Sequence, residues 1–182
     1  MNLRTPRRFK GFLFILLAVS FSQISYAQLA VLKMIGKDSD KSKIGYGLFL
    51  AYNLTVSEAG NRVVTLELLD GGFFPGRQSD KDRMIGYISI KAGYRAIFSE
   101  EGKTGFFLEP QAGYCKVVRN DTDNNSRDGV AAALTGGYSL EVGERGSCFT
   151  FGLKYEADIA GRNYTLQSLG LRVAFIFSLA KR

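Results

Sequence analysis

Eight charged residues in this chain have types and positions suited to ion pairing inside a closed protein interior. Each lies among glycine, small or polar residues on one side of a segment whose other side is apolar. Four are acidic and four are basic, so they can neutralise one another, whereas an unpaired buried charge is very costly. The predicted interior ion-pair network consists of Glu67, Lys91, Arg95, Glu109, Glu141, Lys154, Glu156 and Arg172.

Residues for catalysis or metal binding are scarce. The chain contains no histidine, which excludes Ser-His-Asp catalysis and the usual His-ligated zinc sites. A cysteine nucleophile would lack its common partner. Segment 121–125 resembles the start of a calcium-binding loop, but Ser126 stands where that motif has glycine and Ala132 where it has glutamate. We therefore expect a protein that is not an enzyme and has no cofactor and no metal site.

The N-terminal segment has the pattern of a secretory signal peptide. A basic stretch over 4–10 precedes an apolar run over 11–21, and Ser25 and Ala27 supply the small residues of a cleavage site before Gln28. The apolar run is shorter than the roughly 20 residues that a spanning helix needs. We predict a signal peptide over 1–27 and one mature domain over 28–182. A dense basic patch is lacking, which argues against nucleic-acid binding.

Alternating apolar and polar residues predict that the mature chain consists of β-strands. In the segment Leu169–Phe177, for example, every second residue is large and apolar. Longer and shorter connections alternate along the chain, as in an up-and-down barrel with both termini on one side. The predicted fold is all-β, an eight-stranded antiparallel up-and-down transmembrane β-barrel. The predicted strands are 29–36, 43–55, 61–72, 84–99, 104–119, 129–143, 148–159 and 165–179.

The direction of the apolar face distinguishes two classes of protein. A soluble, exported, lipocalin-like barrel directs that face inward and binds an apolar ligand, whereas a membrane barrel directs it outward into lipid. The small residues and balanced charges of the polar face favour a filled lumen. Aromatic residues near the strand ends favour the girdles of a membrane barrel. The aromatic residues that we expect to face lipid are Tyr94, Phe98, Phe106, Tyr114, Tyr138, Phe149, Phe175 and Phe177.

The two cysteines, Cys115 and Cys148, fall on the polar face of predicted strands five and seven. They lie near opposite ends of those strands. At a rise of about 3.3 Å per residue, this separation exceeds the reach of a disulfide. We predict two free thiols buried in the lumen.

Several segments together are typical of one group of bacterial proteins: the signal ending Ser25–Gln28, the segments Ala92–Tyr94 and Phe107–Tyr114, and the final strand Leu169–Phe177. With these the chain resembles the small outer-membrane β-barrels of the OmpA-transmembrane-domain and OmpX type, often called the porin family. The resemblance implies the outer membrane of a Gram-negative bacterium, with membrane lipid and the outer-membrane insertion machinery as partners. The final strand of such proteins usually ends in an aromatic residue, whereas five residues follow Phe177 here.

The expected function follows from the size of the barrel. Eight strands leave a lumen just wide enough for side chains to fill, so the charged residues would block an open pore. We expect a monomeric, non-enzymatic membrane protein with a structural or surface-interaction role through loops 73–83 and 121–128. The residues of these loops do not identify a ligand.

Overall fold

In a computed structural model of the chain, eight antiparallel strands form a closed up-and-down barrel. The structure describes residues 25–36, 39–77, 84–99, 103–120, 126–142, 147–161 and 164–176. Each strand pairs with the next, and the last pairs with the first. The strands are β1 (Ser25–Ile35), β2 (Gly45–Thr55), β3 (Arg62–Pro75), β4 (Met84–Phe98), β5 (Gly105–Arg119), β6 (Ser126–Val142), β7 (Ser147–Ala160) and β8 (Thr165–Ile176).

The predicted number and order of strands are confirmed, and the largest differences lie at strand ends. β1 begins at Ser25, upstream of the predicted cleavage site, and Ser25 and Tyr26 pair with β8. A register irregularity between Tyr26 and Gln28 separates these pairs from the continuous ladder that follows. Gln28 also begins the pairing with β2, so a chain that starts there keeps both neighbours of β1. The signal peptide stays a prediction.

The connections define two rims of the barrel. We call one rim the loop rim; it carries connections 36–44, 76–83, 120–125 and 161–164. The opposite rim, the turn rim, carries the remaining three connections. The N-terminal end of β1 and the C-terminal end of β8 also lie at the turn rim. The first two loop-rim connections are the longest. The fourth is short because β7 continues to Ala160. The predicted alternation of loop lengths is therefore clear only in the first half of the chain.

The apolar face points outward and the polar face lines the lumen. On β4, Ile88 and Ile90 are about half exposed, whereas Ser89 and Lys91 are buried. The same alternation recurs around the barrel. A soluble barrel with an apolar interior site needs the opposite facing, so that alternative does not fit the structure. Among the described residues, no helix is long and apolar enough to cross a membrane.

The lumen near the loop rim is apolar, which the sequence pattern did not indicate. Leu32 and Met34 of β1 lie there with Phe74, Ile85 and Val117, all of them buried. Over residues 29–32 both faces of β1 are therefore apolar, because Leu29 and Val31 are exposed on the outside whereas Ala30 and Leu32 are buried inside. This explains why the segment 29–36 shows no clean alternation of apolar and polar residues.

Candidate functional site

An irregularity in β3 brings an unpredicted carboxylate into the lumen. Strict alternation from Glu67 would leave Asp70 outside, but the pairing with β4 skips a residue between Glu67 and Asp70. Leu68 and Leu69 both point outward, 49% and 46% exposed, and Asp70 turns inward with 2% exposed. A β-bulge re-aims side chains in this way. The two consecutive leucines break the alternation of apolar and polar residues, and this was the signal in the sequence that could have revealed the bulge.

Asp70 lies in a cluster of five buried charges at the middle of the lumen. Lys91 Nζ lies 2.5 Å from Glu156 Oε1 and 3.4 Å from Glu67 Oε2, and it also contacts Asp70 Oδ2. Lys154 Nζ lies 2.7 Å from Glu156 Oε2 and 3.7 Å from Glu67 Oε2. It too contacts Asp70 Oδ2. Each ammonium group is therefore surrounded by three carboxylates, and each carboxylate is shared by both lysines.

Glu67 connects this cluster to Arg172 of β8. Arg172 Nη1 lies 2.7 Å from Glu67 Oε1, and Nη2 donates a hydrogen bond to Gln28 Oε1 at 3.1 Å. The guanidinium group also lies 3.9 Å from the centre of the Phe49 ring. Stacking on an aromatic face together with a carboxylate contact is a typical environment for a buried arginine.

A second ion pair lies nearer the turn rim. Arg95 Nη2 lies 2.6 Å from Glu109 Oε2, and Arg95 Nε donates to the same oxygen at 2.7 Å. Glu109 Oε1 accepts hydrogen bonds from Thr65 Oγ1 and Gln111 Nε2, both at 2.9 Å. Both carboxylate oxygens of this fully buried group are thus occupied, which offsets the cost of removing its charge from water.

Seven of the eight predicted network residues meet in the lumen, and Glu141 is the exception. Glu141 is only partly buried and is paired with Cys148 near the turn rim. Its backbone N–H donates to Thr104 Oγ1 at 2.9 Å. On β6 it lies six residues beyond Thr135, whose neighbours across the strands are Glu109 and Lys154. A separation of about 20 Å along the strand keeps Glu141 out of the cluster, although Glu141 lies on the inner face of the barrel as predicted. With Asp70 in its place, four acidic and four basic side chains form the ion pairs described above, and Asp158 is a fifth buried carboxyl group in the lumen.

The cysteines are free and buried, as predicted. Cys115 faces the lumen between its cross-strand neighbours Ser89 and Gly129, and Asp158 of β7 is also buried there. Cys148 lies at the turn-rim end of β7 beside Ile176. The two thiols therefore lie in different halves of the barrel.

The predicted lipid-facing aromatic residues lie on the outside wherever the structure describes them. Tyr138 is partly exposed between the rings of Phe106 and Phe151, with ring centres 5.2 and 5.9 Å away. Tyr114, near the loop rim, donates a hydrogen bond to Asp128 at 2.5 Å. Phe177 lies outside the described residues. The exposed members are Tyr94, Phe98, Phe106, Tyr114 and Phe149, and Phe175 is partly exposed.

The chemistry that the structure shows at this site is charge neutralisation. Within the described ranges, no group of three or more histidine, cysteine, aspartate or glutamate side chains could hold a metal ion. The carboxylates pair with lysine and arginine or accept hydrogen bonds from neutral side chains, and most of these partners lie on other strands. The network therefore ties β1, β3, β4, β5, β7 and β8 together across the lumen.

Comparisons with known proteins support the fold. No protein-family model and no curated protein sequence matches the chain. The crystal structure of Neisserial surface protein A is similar, with a TM-score of 0.65 and 13% identity over 86% of this chain and 96% of that one. Ail of Yersinia pestis has a TM-score of 0.46 and 18% identity, over 85% of this chain and 95% of Ail. The N-terminal barrel domain of Pseudomonas aeruginosa OprF has a TM-score of 0.48 and 13% identity, over 86% of this chain and 98% of that domain. These solved structures are outer-membrane barrels of eight strands.

Proposed function

We propose that this chain is a non-enzymatic integral outer-membrane protein of a Gram-negative bacterium, with a structural or surface-interaction role. One observation carries the proposal: an apolar outer face surrounds a lumen filled by paired charges. Water on the outside would leave a continuous apolar surface exposed, far larger than soluble monomers tolerate. Lipid on the outside removes that cost. The fold shared with Neisserial surface protein A is consistent with this environment.

The dimensions of the apolar face also suit a bilayer. On β5 the outward side chains are apolar from Phe106 to Tyr114, a span of roughly nine residues, which matches a transmembrane strand. Lys116 follows at the loop rim and lies opposite Asp128 of β6. The charged boundary therefore comes where the hydrocarbon region should end. In this orientation the turn rim, which carries both ends of the barrel chain, would face the periplasm. The loop rim would face the exterior of the cell.

The filled lumen argues for a structural barrel rather than a large pore. The ion pairs occupy its middle, and Met34, Phe74 and Ile85 are buried toward the loop rim. Interaction would then depend on the exterior connections, of which residues 78–83 and 121–125 lie outside the described ranges. The loops predicted over 73–83 and 121–128 are shorter in the structure. Phe73–Pro75 belong to β3, and residues 126–128 belong to β6. Membrane lipid and the insertion machinery are the proposed partners of a monomeric barrel.

Membrane fractionation tests the proposal. The full-length precursor should yield a protein recovered in the outer-membrane fraction, soluble only in detergent, with heat-modifiable gel mobility. N-terminal sequencing of that protein should begin at Gln28. Recovery of the mature protein from the soluble periplasm without detergent would refute the proposed location.

A further inference from the structure

An apolar groove of about 650 Å³ lies on the outer surface of β1 to β4, in the half of the barrel near the loop rim. Its walls are exposed apolar side chains, and glycine backbone forms much of its floor. The wall residues that carry the argument are Leu29, Val31, Tyr46, Leu48, Phe73 and Ile88.

The floor of the groove is backbone at Gly71, an outward position of β3 that has no side chain. Gly71 lies between Leu48 of β2 and Ile88 of β4. A Cβ at Gly71 would have 3.6 Å to its nearest neighbour, the Tyr87 carbonyl oxygen. The space over Gly71 is therefore outside the barrel and can be filled without a clash.

Basic residues lie beyond the loop-rim end of this groove, on β1 and on the segments that precede β2 and follow β3. Lys33 of β1 is exposed and lies two residues beyond Val31, about 7 Å along the strand. Lys41 and Lys43 precede β2, and Arg77 follows β3. Backbone hydrogen bonds hold these segments together, since Arg77 N donates to Lys41 O at 3.1 Å and Lys43 N donates to the Pro75 carbonyl at 2.8 Å. In sequence, the connection 36–44 carries three lysines and two aspartates, Asp38 and Asp40, and so keeps a net positive charge.

We propose that this groove and its basic border bind an anionic membrane lipid of the outer leaflet, with an acyl chain in the groove and a phosphate group at the basic residues. Charge complementarity supports this occupant, because an apolar groove with basic residues beyond its loop-rim end matches a phosphorylated amphiphile. Lysine and arginine near an anionic membrane surface each contribute roughly a fivefold gain in affinity. The inference rests on the proposed membrane location.

Native mass spectrometry of the detergent-purified barrel tests the proposal, with diphosphoryl lipid A as the anionic probe and phosphatidylcholine as the zwitterionic comparison. Lipid A should be retained at least about tenfold better. Gly71→Leu fills the groove and should weaken lipid A binding by about fivefold. Gly136→Leu is the matched control, because Gly136 is an outward glycine on β6 with 3.9 Å to its nearest neighbour.

The charged border has its own matched pair of variants. Lys33→Gln should weaken lipid A binding by about fivefold, whereas Arg127→Gln, which removes an exposed arginine of β6 at the same rim and away from the groove, should change it by less than about twofold. Arg77→Gln should behave like Lys33→Gln.

Several results would overturn the inference. Equal retention of both lipids would do so, and so would equal effects of Gly71→Leu and Gly136→Leu. Loss of a dimer in Gly71→Leu with unchanged lipid binding would assign the groove to a second copy of the chain. Heat-modifiable mobility verifies that each variant folds, and Gly71→Ala replaces Gly71→Leu if the latter does not. A wild-type barrel that enters the outer membrane without preferring lipid A would contradict this inference alone, whereas failure to enter that membrane would contradict the proposed function.

Discussion

Replacing Asp70 by asparagine tests whether the lumen network stabilises the barrel. Asp70 is 2% exposed and contacts both Lys91 and Lys154. The substitution preserves the size of the side chain but removes one of the three carboxylates that face these ammonium groups. Breaking a buried ion pair by removing one partner costs about 3–5 kcal/mol. Glu156 remains within 2.5 and 2.7 Å of the two lysines, so we expect the lower end, about 3 kcal/mol.

The measurement is the free energy of unfolding in phospholipid vesicles, obtained from denaturant titration and followed by heat-modifiable gel mobility. Glu141→Gln is the matched control, because it also neutralises a lumen-face carboxyl group but lies near the turn rim, outside the cluster. We expect its effect to be within about 1 kcal/mol.

A double substitution separates charge imbalance from loss of contacts. Asp70→Asn combined with Lys154→Met removes one charge of each sign and should recover part of the stability lost in Asp70→Asn, with a coupling energy of about 1–3 kcal/mol. Equal effects of Asp70→Asn and Glu141→Gln, or strictly additive effects in the double variant, would refute the reasoning.

Three further predictions address facing, packing and thiol burial. Leu171→Arg, near the middle of the outer face of β8, should cost about 2–4 kcal/mol in bilayers, and Thr165→Arg at the loop rim about 0–1 kcal/mol. Equal costs in the same vesicle titration would contradict the membrane position. Gly113→Ala should destabilise the barrel by about 1–3 kcal/mol, because a Cβ there would overlap the Ile90 carbonyl oxygen, whereas Gly136→Ala has room; similar melting of the two variants would count against this packing. Both thiols should resist a maleimide reagent until the barrel unfolds, and rapid labelling of the folded protein would show that the lumen is open.

Most of the barrel could be predicted because a strand has a two-residue period. The segment Leu169–Phe177 indicates its two faces without any tertiary information, and so does the segment from Ile88 to Phe98. The export pattern and balanced charges then indicated which face lines the lumen. Prediction failed where the period is interrupted or uninformative, as over residues 29–32 of β1, where both faces are apolar.

The sequence by itself determined the number and order of strands and which residues share a face, and it favoured the outward facing of the apolar residues. Only the tertiary structure decided which charges meet. The bulge at Leu68 and Leu69 turns Asp70 inward, and the position of Glu141 along β6 keeps it away from the lysines. The physical reason is that alternation specifies the face of a side chain but not its height in the barrel, which depends on the register between strands.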